Sequence, residues 1–456
     1  MTQTVSLPLW VFVLIVLFAG VTFASHFLFP SVRWFFRKRA ERVIAQLNER
    51  LQRPIEPFKL ARRYDMIQRL IYDPEVTQAI VEYARKEQVP ENVAFERASR
   101  YAREIVPSFS ATAYFSIGIR LAKWLSKSLY NIRLGSFDRK RLAEIDPDAA
   151  VVFVINHRSN MDYVLVTYLA ANAGALSYAV GEWARVWPLS PIIRAMGAYF
   201  IRRKSRGALY RKVLARYVQM ATQGGVSQAV FPEGGLSLDG KLASPRLGLL
   251  NYIIDDFDPE KREVIFVPVA LNYDRVLEDT FLIAADKSGK RRFRPPLLNV
   301  LRRVSRHFLL RMTGRFRGFG TASVSFGEPL ELSTFIQDET GDPTSKVADE
   351  LMRRISDVVP VLGMPLVARL ILQSGPILRE ELETRVDDMV RFLTDRELPA
   401  PSRHPRVIVA DALSRMSARR LIDETDEGVV VTELGRDILT YYANSIAHHF
   451  RALEGA

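Results

Sequence analysis

The sequence predicts an α/β protein in which a mostly parallel sheet is flanked by helices. From about residue 149, short apolar runs rich in β-branched residues alternate with stretches whose apolar residues recur at helical spacing. This alternation is typical of strands that are joined by crossover helices. An apolar N-terminal segment and a helical region precede the sheet, and a helical tail follows it. We therefore expect four parts, at residues 1–32, 33–145, 146–341 and 342–456.

Residues 1–32 are predicted to form a transmembrane anchor. They contain no Lys, Arg, Asp or Glu, and residues 7–29 are predominantly apolar, whereas about 20 apolar residues suffice to span a bilayer. A secretory signal peptide is the alternative, but it usually carries positive charge before the apolar run, and no charged side chain precedes this one. Basic residues follow from Arg33 to Arg42, so the positive-inside rule predicts a single-pass protein of the cell inner (plasma) membrane with its bulk in the cytoplasm.

The composition restricts the chemistry. The 456 residues are 48% hydrophobic and 25% charged, as in ordinary folded proteins. The absence of cysteine excludes disulfides, thiol catalysis and cysteine-based metal sites. The six histidines are scattered, so no metal site is expected, and no sequence feature suggests an organic cofactor. The net charge of +13 indicates an anionic partner: anionic lipid, a phosphorylated metabolite or nucleic acid.

Two segments combine basic and large apolar residues. Residues 113–134 suit a helix that lies in a membrane interface, and a core-packed helix with a basic outer face is the alternative. Residues 287–317 hold many Lys and Arg residues and no Asp or Glu. This second combination favours an anionic phospholipid surface over nucleic acid, and no nucleic-acid partner is expected.

The regions on either side of the sheet are predicted to be helical. Helices are expected from residue 40 to about 110, with breaks at prolines 54, 57, 74 and 90. The tail contains a predicted hairpin at residues 422–431, and its order of elements resembles a winged-helix module. Five acidic residues between Glu380 and Asp388 would repel nucleic-acid phosphates, so the tail is predicted to be a structural or protein-contact module.

Within the sheet, the strand at residues 151–155 ends just before His157, and Asp162 follows five residues later. Open α/β sheets bind ligands at the carboxyl ends of their strands. An imidazole that a carboxylate orients there can accept the proton of a substrate hydroxyl. A polar helix cap with a surface aspartate is the equally weighted alternative. Further strands are predicted at residues 175–180, 198–202, 227–231, 264–270 and 323–326.

Three other strand ends carry polar or conformationally special residues. The strand at residues 198–202 ends in cations, whose guanidinium groups suit phosphate. The loop at residues 231–241 contains a Gly-Gly pair, which lets backbone N–H groups approach a ligand closely. Pro268 ends an apolar run that suits a pocket wall. Each feature alone is weak, since cationic strand ends are usually solvated and Gly-Gly loops are usually turns.

Together, the four stretches resemble the four sequence blocks of the glycerolipid acyltransferase superfamily: H-x4-D, a glycine–aromatic–Ile-Arg block, F-x-E-G-G and a hydrophobic-Pro block. The segments HRSNMDY at 157–163 and GAYFIRR at 197–203 look most like the membrane glycerol-3-phosphate acyltransferase branch. So do PRLGLL at 245–250, FGEPL at 326–330 and YYANS at 441–445. The resemblance extends from about residue 113 to the C-terminus.

The resemblance implies direct transfer of a fatty acyl group from acyl-CoA or acyl carrier protein to glycerol 3-phosphate, giving lysophosphatidate for phospholipid synthesis. It makes residues 146–341 the catalytic domain, on the cytoplasmic side, with His157 as general base and Asp162 as the group that sets its tautomer. Arg202 would bind the acceptor phosphate and Pro268 would shape the pocket. The full implied set of substrate-binding residues is Arg158, Ser159, Arg202, Arg203, Lys204, Glu233, Gly234, Gly235, Ser237, Lys241 and Pro268.

One departure from the branch concerns the third block, which usually reads E-G-G-R-S-R. Leu236 and Leu238 stand here in place of its two arginines. A missing guanidinium weakens a phosphate site unless another cation, such as Arg158, Lys241 or Arg246, replaces it. The alternatives are therefore an acyltransferase for a lysophospholipid or another hydroxyl acceptor and, from a different class, a catalytically silent membrane scaffold.

Overall fold

The computed structural model describes most of the chain. The described residues are 8–49, 51, 53–135, 141–142, 144–169, 174–181, 184–185, 189–202, 207–289, 318–337 and 341–451. Within the first helix, the side chains of residues 21–37, 40, 41 and 43 are outside this description. Most of the predicted basic segment, residues 290–317, is also outside it, as are Arg203 and Lys204.

The chain divides into two compact units, Met1–Ile55 and Glu56–Ala456. The first unit contains helix α1 (Leu9–Asn48), of which Leu9–Gly20 is a short apolar segment. Among the helices described, none alone is long and apolar enough to cross a membrane; Pro343–Val358 and Gly363–Ser374, bent by 86°, pass that test only as a pair.

The second unit begins with the predicted helical region, which the structure confirms as α2 (Pro57–Leu60), α3 (Arg63–Ile71), α4 (Pro74–Glu87) and α5 (Glu91–Ile105). The prolines open helices here, because a first-turn residue needs no N–H for the helix. Asp73 caps α4 by accepting a hydrogen bond from the backbone N–H of Glu75 at 3.1 Å.

Eight strands in the described residues form one sheet. They are β1 (Asn131–Leu134), β2 (Ala150–Ile155), β3 (Ser177–Gly181), β4 (Tyr199–Ile201), β5 (Gln228–Val230), β6 (Val264–Tyr273), β7 (Thr321–Phe326) and β8 (Leu330–Glu331). Their order is β1-β7-β6-β2-β5-β3-β4, with β8 also paired to β6. Only β7 and β8 run antiparallel to β6, and the other pairs are parallel. The mostly parallel sheet and its six predicted strands are confirmed.

Helices cover both faces of this sheet. After a π-helical turn (Ala113–Gly118) come α6 (Ile119–Leu129), α7 (Met161–Leu169), α8 (Leu189–Ala195), α9 (Ala208–Gln223), α10 (Gly248–Ile254), α11 (Asp279–Ser288) and α12 (Leu332–Gln337). Alternate residues of β2 enter two different apolar clusters, Val151, Phe153 and Ile155 on one face and Ala150, Val152 and Val154 on the other. Burial on both faces explains why the strand is an uninterrupted apolar run.

Two local predictions need correction. The helix expected at residues 113–134 ends at Leu129, and its last part is strand β1, which pairs with β7. Pro268 lies inside β6 and not at its end. A proline is tolerated there because β8 pairs with β6 only up to Phe266 and β7 only from Val269, so the ladder on that side is interrupted at Pro268.

The tail is helical with one hairpin, as predicted. It comprises α13 (Pro343–Val358), α14 (Gly363–Ser374), α15 (Arg379–Asp395), α16 (Pro405–Ser417), β9 (Ile422–Thr425), β10 (Gly428–Val431), α17 (Glu433–Asn444) and a 3₁₀ turn (Ala447–Phe450). β9 and β10 are antiparallel, and Ile377 adds an antiparallel bridge to Val429.

Two histidines fasten the end of the tail to α13. The Nε2 atoms of His448 and His449 lie 3.1 and 2.9 Å from the backbone oxygens of Ser356 and Val359, at the carboxyl end of that helix. Burial lowers the pKa of His448 to about 2, with a further contribution from the neighbouring His449, and burial also lowers the pKa of His449. Both rings are therefore neutral in the folded protein.

We predict that the protein loses stability as the pH falls below about 6.5. In this range the two histidines bind protons in the unfolded chain but stay neutral in the folded protein. The loss should reach roughly 1.4 kcal/mol per pH unit for His448, and His449 adds to it in the same direction. The measurement is the unfolding midpoint between pH 8 and pH 5 for the wild type and the His448→Asn/His449→Asn double variant. The double variant should have the shallower slope, and exposed His404→Asn should match the wild type. Equal slopes in the wild type and the double variant would contradict this assignment.

Candidate functional site

The predicted His/Asp pair forms at the carboxyl edge of the sheet. His157 follows β2, and Asp162 lies in the first turn of α7, so the five intervening residues fold the chain back on itself. Nδ1 of His157 lies 2.9 Å from Oδ2 of Asp162. The side chains are 2% and 0% exposed, so they are not a surface cap.

The Asp162 carboxylate receives three further hydrogen bonds. The backbone N–H groups of Arg158 and Ser159 donate to Oδ2 at 2.7 and 2.9 Å, and the hydroxyl of Tyr273 donates to Oδ1 at 2.6 Å. A carboxylate surrounded by donors acts as an acceptor only. The proton on the His157 ring is therefore assigned to Nδ1, which leaves the lone pair of Nε2 for a substrate.

Aromatic rings enclose the imidazole. The ring of Phe231, at the end of β5, lies 4.2 Å from the His157 ring centre, and Tyr163 meets the same ring edge-on at 5.4 Å. These contacts fix the orientation of the ring and keep water from its faces. The surroundings suit proton transfer because the base is held in one orientation.

The loop after β5 is tied to the backbone of His157. Glu233 accepts hydrogen bonds from the N–H groups of His157 at 2.8 Å and Ala243 at 3.0 Å. Burial raises the pKa of Glu233, although the charge of Arg158 and the two backbone hydrogen bonds oppose this shift. The N–H of Ser237 donates to the carbonyl oxygen of His157 at 2.9 Å. Glu233 and Ser237 thus position the histidine from two sides.

Gly234 makes the turn between these two residues possible. Its φ of +67° is disfavoured for other residues. A Cβ atom there would also lie 2.4 Å from the side chain of Arg246. Gly235 continues the turn and is partly buried, whereas Lys241 is exposed.

Glu278 is a buried carboxylate that the sequence did not identify. It accepts hydrogen bonds from the hydroxyl of Ser159 at 2.8 Å and from the side-chain amide of Asn160 at 3.0 Å. Burial raises the pKa of Glu278; these hydrogen bonds oppose the shift and the nearby Asp162 charge adds to it. The residue holds the loop between β2 and α7, so Ser159 is fixed by a side chain that is remote in the sequence.

The Arg158 side chain points into the protein. It is 1% exposed, and its guanidinium donates to the backbone oxygens of Gly240 and of Ser445, the latter at 3.3 Å. Gly240 has a φ of +87°, and a Cβ atom there would lie 1.9 Å from the backbone oxygen of Tyr441. In this structure Arg158 therefore joins the loops after β2 and β5 to the end of α17, and its predicted role in substrate binding remains a prediction.

Arg202 lies at the end of β4 and makes a bidentate ion pair with Glu104 of α5, at 2.8 and 2.6 Å. Of the three cations predicted at this strand end, it is the one described. Leu236 and Leu238, which stand where arginines were expected, are partly buried against the apolar core. Within the described ranges, no three His, Asp or Glu side chains gather as around a metal ion.

The chain matches two family models. Residues 138–272 match the acyltransferase model, and residues 307–452 match the model of the glycerol-3-phosphate acyltransferase C-terminal region. A solved structure, the 1-acyl-sn-glycerophosphate acyltransferase from Thermotoga maritima, covers 64% of this chain and 95% of its own at 18% identity, with a TM-score of only 0.33.

Curated relatives named glycerol-3-phosphate acyltransferase come from several bacteria. The protein from Shewanella halifaxensis is 27% identical over 440 residues, which is 90% of this chain and 53% of the relative. Those from Shewanella pealeana and Actinobacillus succinogenes are 28% and 29% identical, and each comparison covers 86% of this chain and 50% of the relative. The chain thus spans about half the length of these relatives. These matches confirm the predicted resemblance to the glycerolipid acyltransferase superfamily and, within it, to the glycerol-3-phosphate acyltransferase branch.

Proposed function

We propose that this chain is a glycerol-3-phosphate 1-O-acyltransferase, which moves a fatty acyl group from acyl-CoA or acyl carrier protein to glycerol 3-phosphate. The observation that carries the proposal is the buried contact between Nδ1 of His157 and Asp162, which directs Nε2 to act as the base. The names of the curated relatives support glycerol 3-phosphate as acceptor.

In the proposed mechanism, Nε2 of His157 removes the proton of the acceptor hydroxyl as its oxygen attacks the thioester carbonyl carbon. The resulting tetrahedral intermediate collapses, the C–S bond breaks, and the imidazolium returns the proton to the leaving thiolate. Asp162 stabilises the imidazolium in between. The chain has no cysteine, so a thiol-linked acyl-enzyme cannot form, and transfer is direct within a ternary complex.

A lipid bilayer with anionic phospholipids is the proposed working surface. Helix α6 buries its small residues Ala122 and Ser126, whereas Leu121 and Trp124 are each 52% exposed. Leu125 and Leu129 of the same helix pack partly against the core, so α6 exposes large apolar residues on a second face, which an ordinary surface helix does not. Exposed basic residues lie beside them: Arg120, Lys123 and Lys127. The arrangement favours the interfacial role over the core-packed alternative.

For localisation we propose the cytoplasmic face of the inner membrane, with α1 as the anchor. For the tail we propose a winged-helix-like support module, since α14, the Ile377 bridge, α15, α16 and the β9–β10 hairpin follow the order of that motif. The contacts of α17 with the catalytic loops support a structural role for it.

We predict that His157→Asn lowers acyl transfer about 100- to 10,000-fold without lowering the melting temperature enough to explain the loss. Asp162→Asn should lose a comparable factor, because an amide favours the other tautomer. The measurement is labelled lysophosphatidate formed by the full chain in detergent from palmitoyl-CoA or palmitoyl carrier protein and glycerol 3-phosphate. Exposed His404→Asn is the control and should keep wild-type activity.

An acceptor panel separates the alternatives. Transfer to lysophosphatidate or dihydroxyacetone phosphate, but not to glycerol 3-phosphate, would replace the proposed acceptor. The absence of transfer with both donors and all acceptors would favour the scaffold. Activity that survives both substitutions would contradict the assigned base.

We also predict that the exposed face of α6 contacts lipid. Because the chain has no cysteine, a fluorophore can be attached at a single introduced thiol, Leu121→Cys, in the full chain reconstituted in vesicles. Nitroxide-labelled acyl chains should quench this probe. The quenching should be stronger in vesicles with anionic lipid than in neutral vesicles, and high salt should weaken it. Leu434→Cys, at a position that is 64% exposed on α17, is the matched control. Equal quenching at the two positions would contradict an interfacial α6.

A further inference from the structure

Two guanidinium groups share one carboxylate beside the carboxyl edge of the sheet. Nη2 of Arg202 and Nη2 of Arg185 lie 2.6 and 2.7 Å from the same oxygen, Oε2 of Glu104. Nε of Arg202 binds the other oxygen at 2.8 Å. Glu104 is 6% exposed, but the Arg185 and Arg202 side chains are 31% and 33% exposed, so both cations can be reached from solvent.

The surroundings hold more positive charge than this carboxylate neutralises. Arg63 and Arg194 lie at the same end of α5, where they donate to the backbone oxygens of Val106 and Arg103 at 3.0 and 3.1 Å. Burial raises the pKa of Glu104, but hydrogen bonds from Arg202 and Arg185 outweigh burial and leave the pKa below its ordinary value. Arg185, Arg194 and Arg202 all interact with the charge of Glu104, and this excess of positive charge attracts further anions.

The two arginines follow strands that end at the same edge of the sheet as the strand before His157. Arg202 directly follows β4 and Arg185 comes four residues after β3, so both extend from the sheet edge at which His157 follows β2. β2 and β4 are separated by β5 and β3, which amounts to ~14 Å across the sheet. Arg185 follows β3, which lies between β4 and β2 in the sheet.

We propose that Arg185 and Arg202 together form the cradle for the acceptor phosphate, and that Glu104 occupies this cradle until the phosphate displaces it. A carboxylate oxygen between two guanidinium forks stands where a phosphate oxygen is bound. Arg185 then supplies the guanidinium group that an arginine of the third block would otherwise provide. This explains how Leu236 and Leu238 can stand at those positions. The inference rests on the proposed function and adds a residue and a displaceable internal anion to it.

The test compares steady-state kinetics of full-length variants with glycerol 3-phosphate as the varied substrate. Arg185→Ala should raise its KM roughly 10- to 100-fold while the KM for the acyl donor stays the same, and Arg185→Lys should lose less. Glu104→Gln should lower the KM for glycerol 3-phosphate and strengthen competitive inhibition by inorganic phosphate. Arg216→Gln, which breaks a similarly buried ion pair with Asp73 at 2.8 Å, is the control and should leave both KM values unchanged.

A wild-type KM in both Arg185 variants would overturn the cradle and leave the proposed acyltransferase intact. A raised KM in Glu104→Gln would overturn the displacement. If the wild type transfers no acyl group, the proposed function fails, and the cradle is tested by thermal stabilisation with inorganic phosphate. Stabilisation of the wild type and of Glu104→Gln, but not of Arg185→Ala, supports the cradle; no stabilisation of any of them overturns it.

Discussion

The candidate site depends on the hydrogen bonds that the Asp162 carboxylate accepts. This carboxylate has no exposed surface, and it joins the loop after β2, the start of α7 and the end of β6 through hydrogen bonds from the His157 ring, two backbone N–H groups and the Tyr273 hydroxyl. A buried carboxylate is stable only when such donors replace its water. The interactions that make its burial possible are therefore the ones that orient the base.

A second layer of contacts comes from the tail. Arg158 bonds to Gly240 and Ser445, while the side-chain amide of Asn272 reaches the hydroxyl of Ser445 at 3.2 Å. The hydroxyl of Tyr442 donates to Asp279 at 2.7 Å and accepts from the backbone N–H of Val276 at 3.0 Å. These bonds tie the loops after β2, β5 and β6 to α17. The tail thus stabilises the loops of the candidate site, which gives it a physical role without a ligand of its own.

Sequence reasoning succeeded where the signal is local. The strands are continuous apolar runs because the sheet is buried on both faces, and His157 and Asp162 are separated by a single turn. It missed Tyr273 and Glu278, which lie 111 and 119 residues from their partners Asp162 and Ser159, since no periodicity marks such pairs. Glu104 and Arg185 were missed for the same reason: each is one of many charged residues until the fold brings them together. The end of α6 was misplaced because basic and apolar residues continue into β1.

The proposed function depends on one tautomer of His157, in which the proton is on Nδ1 and Nε2 is free to act as the base. Selective ¹⁵N labelling of histidine tests it directly, because the chain contains only six histidines and the signals of His157 are those that disappear in His157→Asn. Long-range ¹H–¹⁵N correlation distinguishes the two nitrogens of each ring. We expect a protonated Nδ1 and an unprotonated Nε2 for His157, and conversion to a different pattern in Asp162→Asn. A ring protonated on Nε2 in the wild type would contradict it.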